Sequence, residues 1–234
     1  MGAGRGDSMT VAHRSRHLVV SMKDQIYDTL KSAILSNECK PGDILQIDKL
    51  AKEFGVSATP IRETLMRLEG TGLLKIIPNK GAQITEINIH DVRDIWEMRI
   101  LMEPYAGKKS AKRISDDEIL KVIRDVQDLQ NRSFDGELYI KVDNDLHSLL
   151  FRHVENDYLY DAIERIQDHS LRIRYYAETS SADREKVVCQ VCAEHLEILE
   201  ALRLHDPEKA EVAIRRHLEN GEKRTLAAVS RIIP

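Results

Sequence analysis

The run from Leu50 to Ala82, LAKEFGVSATPIRETLMRLEGTGLLKIIPNKGA, leaves this chain few ways to fold. Leu50, Ala51 and Phe54 form the apolar face of a short helix, and Gly55 ends it, because glycine leaves a helix through positive φ without a Cβ penalty. Val56 packs in the turn that follows. Ser57 or Thr59 can cap a second helix, and Pro60 is tolerated in its first turn, where no N–H partner is needed. Ile61, Leu65 and Leu68 repeat at helical spacing and face inward, while Ala58, Thr59, Arg62 and Arg67 lie off that stripe. Beyond Gly72, the apolar pair Ile76-Ile77, the turn Pro78-Asn79-Lys80-Gly81 and Gln83-Ile84 spell a hairpin with a basic tip.

Helix, tight turn, helix and β-wing is the layout of a winged helix-turn-helix, which lays its second helix in the major groove of DNA. The expected contacts are Ser57, Thr59 and Arg62 on that helix, Arg67 on phosphate, and Lys80-Gly81 at the wing. Surface ion pairing is the alternative for Arg62 and for Arg67.

The same residues resemble the GntR family of bacterial transcription regulators, whose motif runs V-S-x-T-P-[VI]-R-E-x-L, then R-L, G-L and P-N-x-G-A. Val56, Ser57, Thr59, Pro60, Ile61, Arg62, Glu63, Leu65, Arg67, Leu68, Gly72, Leu73, Pro78, Asn79, Gly81 and Ala82 all match. The segment from Gln25 to Leu45 is similar to the family's first helix and its exit, with Lys40, Pro41, Gly42, Asp43 and Leu45. Two positions depart from the pattern. Ala58 stands where the family usually has Arg, and Asp48 where it is often basic. Bidentate Arg–guanine contacts are worth about 1–3 kcal/mol each, so these departures alter the preferred operator rather than DNA binding itself.

Length and composition set the remaining bounds. The 234 residues suit one large domain or two modest ones, and 42% hydrophobic content with only 5% aromatic predicts aliphatic cores. The net charge of −4 hides an asymmetry: the basic character sits in the tail and first domain, and the second half is acidic. Three cysteines make no disulfide framework, and Cys189 and Cys192 fall inside a helical pattern rather than at a helix start. There is no apolar run of membrane-spanning length and no signal-peptide core, so the cytoplasm is the expected compartment and no membrane partner is expected. Residues 1–20 are aperiodic and read as a disordered tail. Residues 21–86 read as the DNA-binding domain and 87–231 as a helical domain that binds effector and metal and dimerises.

Helical periodicity dominates from Asn88 onward. Asn88 caps a long helix with Pro104 inside it, which should kink it. Ser115 and Glu118 form a capping box for the next. Further helices are expected over about Asp135 to His153, Asp157 to Ala177 and Asp183 to Leu204. Asp206-Pro207 opens a last one, to about Ser230. Six helices on short links predict an antiparallel bundle, so the fold class is mainly α: a winged helix-turn-helix followed by an all-helical bundle.

This half resembles the ligand-sensing domain of the fatty-acid-regulator branch of the GntR family, often called FCD. The resemblance spans about Asn88 to Val229. It rests on Trp96-Glu97-Met98-Arg99, Leu101-Met102-Glu103-Pro104, Asp143 with His147, Asn156, Glu194-His195, and Arg216-His217-Leu218 after Asp206-Pro207. It implies a metal site of Asp143, His147, His195 and His217. Spacing agrees with that set. Asp143 and His147 share one helix face. His195 lies ten residues before His205, and His217 eleven after Asp206, so at 1.5 Å per residue both reach nearly the same depth on antiparallel helices. Three imidazoles and one carboxylate suit Zn, Ni, Mn or Fe(II) and disfavour Ca.

Open coordination positions would admit a small carboxylate effector, with Arg99 as its second anchor and Asn156 as a further contact. A salt bridge with Glu103 is the alternative for Arg99; for Asn156, capping or turning a helix is the first reading and effector contact the lesser one. Arg172 and Arg174 alternate around their helix, so at most one should face the pocket, and a solvated face is the first reading for either. The expected molecule is a homodimeric, effector-controlled DNA-binding regulator, most simply a repressor, on a palindromic double-stranded operator. A purely structural metal and a metal-dependent hydrolytic enzyme are the competing readings; the second lacks a general base beside the metal and a role for the DNA-reading domain.

Overall fold

The computed structural model describes residues 21–133, 135–178 and 184–230; the tail expected over 1–20 lies outside them. The first unit runs α1 (Met22–Leu35), β1 (Ile44–Leu45), α2 (Ile47–Phe54), α3 (Ala58–Thr71), β2 (Leu74–Ile77) and β3 (Gly81–Ile84). Gly55 closes α2 at φ 65°, and the Val56 N–H donates back to the Ala51 carbonyl at 2.9 Å, which makes the tight turn. Ile26, Leu30, Ile34, Leu50, Ile61, Leu65, Leu68 and Ile84 are buried in one aliphatic core beneath α3.

The wing is antiparallel, with Ile76 opposite Ala82 and Ile77 opposite Gly81. β3 lies in the middle of the order β1-β3-β2. β1 has only two residues and no alternation to betray it, so periodicity did not reveal it. Gly81 is buried, and a Cβ on it would collide with the Leu45 carbonyl of β1. Glycine is therefore what lets β1 close onto β3.

The second unit is six helices among the described residues: α4 (Ile89–Ser110), α5 (Asp116–Gln130), α6 (Gly136–Phe151), α7 (Asp157–Glu178), α8 (Arg184–Arg203) and α9 (Pro207–Val229). Their starts follow the local signals. Asn88 Oδ1 accepts from the His90 and Asp91 N–H groups, Ser115 and Glu118 form a complete capping box, and Asp206 accepts from the Lys209 N–H ahead of Pro207. α4 is one helix through Pro104. Pro104 cannot donate to the Ile100 carbonyl, and Arg215 on α9 does so instead at 3.3 Å. Val92, Trp96, Ile119, Leu146, Leu150, Ile198, Leu202, Ile214 and Leu218 share the bundle core. Leu171 on α7 packs against both cores. Cys189 is exposed and Cys192 buried within α8, and both are free thiols. Among the described residues no helix is long and apolar enough to cross a membrane.

Candidate metal centre and DNA-reading face

Five helices converge on one buried cluster. α6 contributes Asp143 and His147, α8 contributes His195 and α9 contributes His217, each at most 4% exposed. One ligand atom from each lies within 4.8 Å of the other three. The His217 and His147 Nε2 atoms are 3.3 Å apart, His147 Nε2 is 3.5 Å from Asp143 Oδ2, and His195 Nε2 is 3.4 Å from Asp143 Oδ1.

Two of the imidazoles are oriented from behind by carboxylates. His147 Nδ1 lies 2.5 Å from Glu103 Oε2, and His217 Nδ1 lies 2.8 Å from Glu194 Oε2. An Nδ1–H donated outward leaves the Nε2 lone pair facing the centre, the usual device for aiming a metal-binding histidine. Burial pushes the His147, His195 and His217 imidazoles below their ordinary range, so the cluster presents neutral donors. Both ring nitrogens of His195 are buried without a hydrogen-bond partner. Neutral nitrogens converging on a carboxylate, one ring wholly unsatisfied, fit a divalent transition-metal ion.

Around the cluster each carboxylate holds one guanidinium. Arg99 Nε donates to Glu103 at 2.6 Å, Arg224 bridges both oxygens of Glu194 at 2.8 and 2.9 Å, and Arg174 pairs with Asp143. Burial alone would raise Glu103 and Glu194. The Arg99 charge with His147, and the Arg224 and His217 hydrogen bonds, instead hold the two carboxyls well below the usual carboxylate range. A cavity of about 100 Å³, large enough for a handful of waters, adjoins the cluster and is lined by Trp96, Arg99, Arg174, Gly221 and Arg224 among others.

Several expected roles change here. Arg99 does reach the cluster, but its guanidinium is committed to Glu103, to Ser170 at 2.9 Å and to His147 at 3.1 Å. Asn156 does not reach it: the side chain is exposed and accepts from the Leu159 N–H at 3.1 Å, so it caps its helix, the first of its two readings, and is not placed for effector contact. Arg172 and Arg174, read as solvated, are 2% and 8% exposed. Arg172 donates to Thr85 Oγ1 at 2.8 Å, and Arg174 joins the cluster. Helical spacing could not show this, because both partners lie on other elements. Glu194 sat beside His195 in sequence, yet only packing of α8 on α9 brings it behind His217.

On the first unit, Ser57, Thr59 and Arg62 are exposed at the start of α3, and Lys80 is exposed at the wing tip. Ser57 is the N-cap residue but its hydroxyl makes no cap bond. A cleft of about 800 Å³ between α3 and the wing is lined by Arg62, Met66, Asn79 and Lys80, and also by Asp48. Arg67 takes its ion-pair alternative: it bonds Asp24 at 2.9 Å and stacks 3.7 Å from the Tyr27 ring centre, fastening α3 to α1. Gly81, expected at the DNA, is buried at the base of the wing, leaving Asn79-Lys80 as its tip.

Known proteins share this architecture. Residues 22–84 match the model of the gntR family of bacterial regulatory proteins, and residues 94–220 match the FCD domain. The HTH-type transcriptional regulator YdhC of Bacillus subtilis (strain 168) is 29% identical over 202 residues, covering 84% of this chain and 87% of its own. The HTH-type transcriptional repressor RspR of Escherichia coli (strain K12) is 25% identical, covering 85% and 86%. Among solved structures, E. coli McbR/YncC superposes with a TM-score of 0.75 at 21% identity, covering 87% of this chain and 96% of that one. A winged helix followed by an FCD bundle, with transcription regulators rather than enzymes as relatives, places the chain in the GntR family as a DNA-binding transcription regulator of the FCD type.

Proposed function

We propose that the chain is a homodimeric regulator whose grip on a palindromic operator is set by a small carboxylate bound at a divalent metal in the FCD bundle. The observation that carries this is the buried Asp143–His147–His195–His217 cluster, whose donors converge and whose His195 nitrogens have no other partner. The metal is Zn, Ni, Mn or Fe(II), by its three nitrogens and one oxygen. It would offer a Lewis-acidic position to a carboxylate, and the guanidiniums of Arg99, Arg174 and Arg224 line the same cavity. Thr59, Arg62 and Ser57 read the major groove and Lys80 the wing side, with Arg67 and Gly81 shaping those elements. Control is repression, the role stated for the relative RspR. The protein works in the cytoplasm, where operator DNA is.

Three internal Arg–carboxylate pairs satisfy the cluster's anions without an ion. That favours a sensing metal over one on which the bundle depends to fold. A thermal-shift screen of a carboxylate library on metal-loaded and chelated protein tests the reading. A compound that raises the melting temperature only with metal present supports it. Hits indifferent to metal, or a bundle that unfolds on chelation, overturn it.

A further inference from the structure

We propose that Arg174 takes the cation's place on Asp143 while no metal is bound, and that α7, which carries it, links the site to the DNA-reading domain. This rests on the metal-centre reading above. Of the three guanidinium–carboxylate pairs, only this one uses a carboxylate that is itself a candidate ligand; Glu103 and Glu194 stand behind histidines. Arg174 and an incoming ion therefore draw on the same charge. Without metal each of the three carboxylates is matched by one guanidinium. A divalent ion adds two positive charges to a site with little water to screen them. Arg99 and Arg224 hold the carboxylates that aim His147 and His217, and although Arg99 also lies 3.1 Å from His147 Nε2, Arg174 is the cation paired with a ligand carboxylate and is the one that yields. Its other nitrogen already rests on Asn144 Oδ1 at 2.5 Å, and it borders the cavity where a carboxylate on the ion would lie.

The opposite face of α7 is bound to the first unit. Asp168 pairs with Lys31 at 2.6 Å, His169 Nε2 lies 2.9 Å from the Thr71 carbonyl, and Arg172 bonds both Thr85 Oγ1 and the Thr85 carbonyl. Asn37 donates to the Arg172 carbonyl at 3.2 Å. Ser170 and Arg174, one turn apart, face the cluster, where Ser170 accepts from Arg99. About two turns of helix, from Asp168 to Arg174, thus touch the site on one side, and α1, the end of α3 and the end of β3 on the other. Release of Arg174 changes what holds α7 from the cluster side, and α7 passes that change to the elements that present Arg62 and Lys80.

Zinc affinity of the full chain, measured by competition with a chromogenic chelator, tests the first half. Arg174→Gln is expected to bind Zn²⁺ on the order of tenfold more tightly than the natural chain. Arg174→Lys, which keeps the charge, should stay near it. Weaker binding by Arg174→Gln, the outcome if the guanidinium merely orients a metal-bound carboxylate, overturns the proposal. Should Arg174→Gln not fold, the zinc-loaded structure of the natural chain decides: Arg174 off Asp143 supports the proposal, and Arg174 and zinc both on Asp143 overturn it. The second half is read by hydrogen exchange. Zinc should alter exchange of the amides from Thr71 to Thr85 in the natural chain and not in Arg172→Gln; an unaltered segment in the natural chain overturns the link. If no variant and not the natural chain takes up zinc, the metal-centre reading falls and this inference with it, whereas zinc uptake with unchanged affinity in Arg174→Gln sinks this inference alone.

Discussion

A carboxylate behind a histidine decides which nitrogen faces inward, and at this cluster the two carboxylates do so through single atoms. Glu194 accepts from His217 Nδ1 and is held ionised by Arg224 and by Asn220 at 2.9 Å. Glu194→Gln could present its amide nitrogen to His217 and reverse the ring's tautomer. Metal affinity should fall roughly 10–100-fold, the usual loss when such a partner is removed, with the melting temperature of the metal-free protein changed far less. Isothermal titration with Zn²⁺ beside a thermal melt reads both; full affinity would show that His217 needs no such support. On the DNA side, Arg62 is exposed and unencumbered by the core. Arg62→Ala should weaken operator binding by about 1–3 kcal/mol or more while leaving the melt unchanged. Gel shifts on the natural operator check it, and undiminished affinity would remove Arg62 from the reading face.

Elements pack here through two glycines. α4 and α9 lie against each other over most of their length, Gly107 on the first and Gly221 on the second. A Cβ at Gly221 would sit 2.5 Å from the Trp96 ring, a rigid plane fixed in the core. A Cβ at Gly107 would meet only the terminal methyl of Ile214, which can rotate away. Gly221→Ala should therefore cost about 1–3 kcal/mol by overpacking, and Gly107→Ala distinctly less. Equal losses in urea titrations would contradict that account. The start of α5 predicts a pH effect. Bonds from the Ser115 N–H and hydroxyl, helped by His153, hold Glu118 at about 2. A carboxyl lowered by folding binds fewer protons folded than unfolded. Its stabilisation is whole above about pH 4.5, its ordinary value, and fades as pH falls toward 2. The stability gap between the natural chain and Glu118→Gln should therefore shrink across that window; a gap constant with pH would assign it to packing instead.

For the molecule as a whole, three neutral histidines in a dry centre make stability depend on proton concentration. His195 and His217 lie well below 6.5 when folded and near it when unfolded. Below about pH 6.5 the unfolded chain binds more protons, so the metal-free protein should lose stability steadily as pH falls from there. Metal-loaded protein should resist at first and then lose its ion, because protonated imidazole cannot coordinate. Urea midpoints at pH 7.5 and 5.5, with and without Zn²⁺, check this. A metal-free midpoint that does not move would mean these rings are not held neutral.

Much of this was legible in one dimension because it is governed by neighbours in the chain. Gly55 at positive φ, the Ser115–Glu118 box, Asp206-Pro207 and the apolar stripes set where helices begin, end and face, and the interval from His195 to His217 set their common depth. Other features depend on which elements meet, and no local pattern carries that. β1 exists only because β3 offers it a ladder and Gly81 lets it approach. Arg67 fastens to Asp24 because α1 crosses α3. Asn156 is spent on its own helix start, and Arg99 on Glu103. Arg172 and Arg174 look like ordinary surface arginines by composition. A buried guanidinium is stable only where a carboxylate or carbonyl from another element compensates it, and the folding of α7 between the two cores alone supplies Asp143 to one and Thr85 to the other.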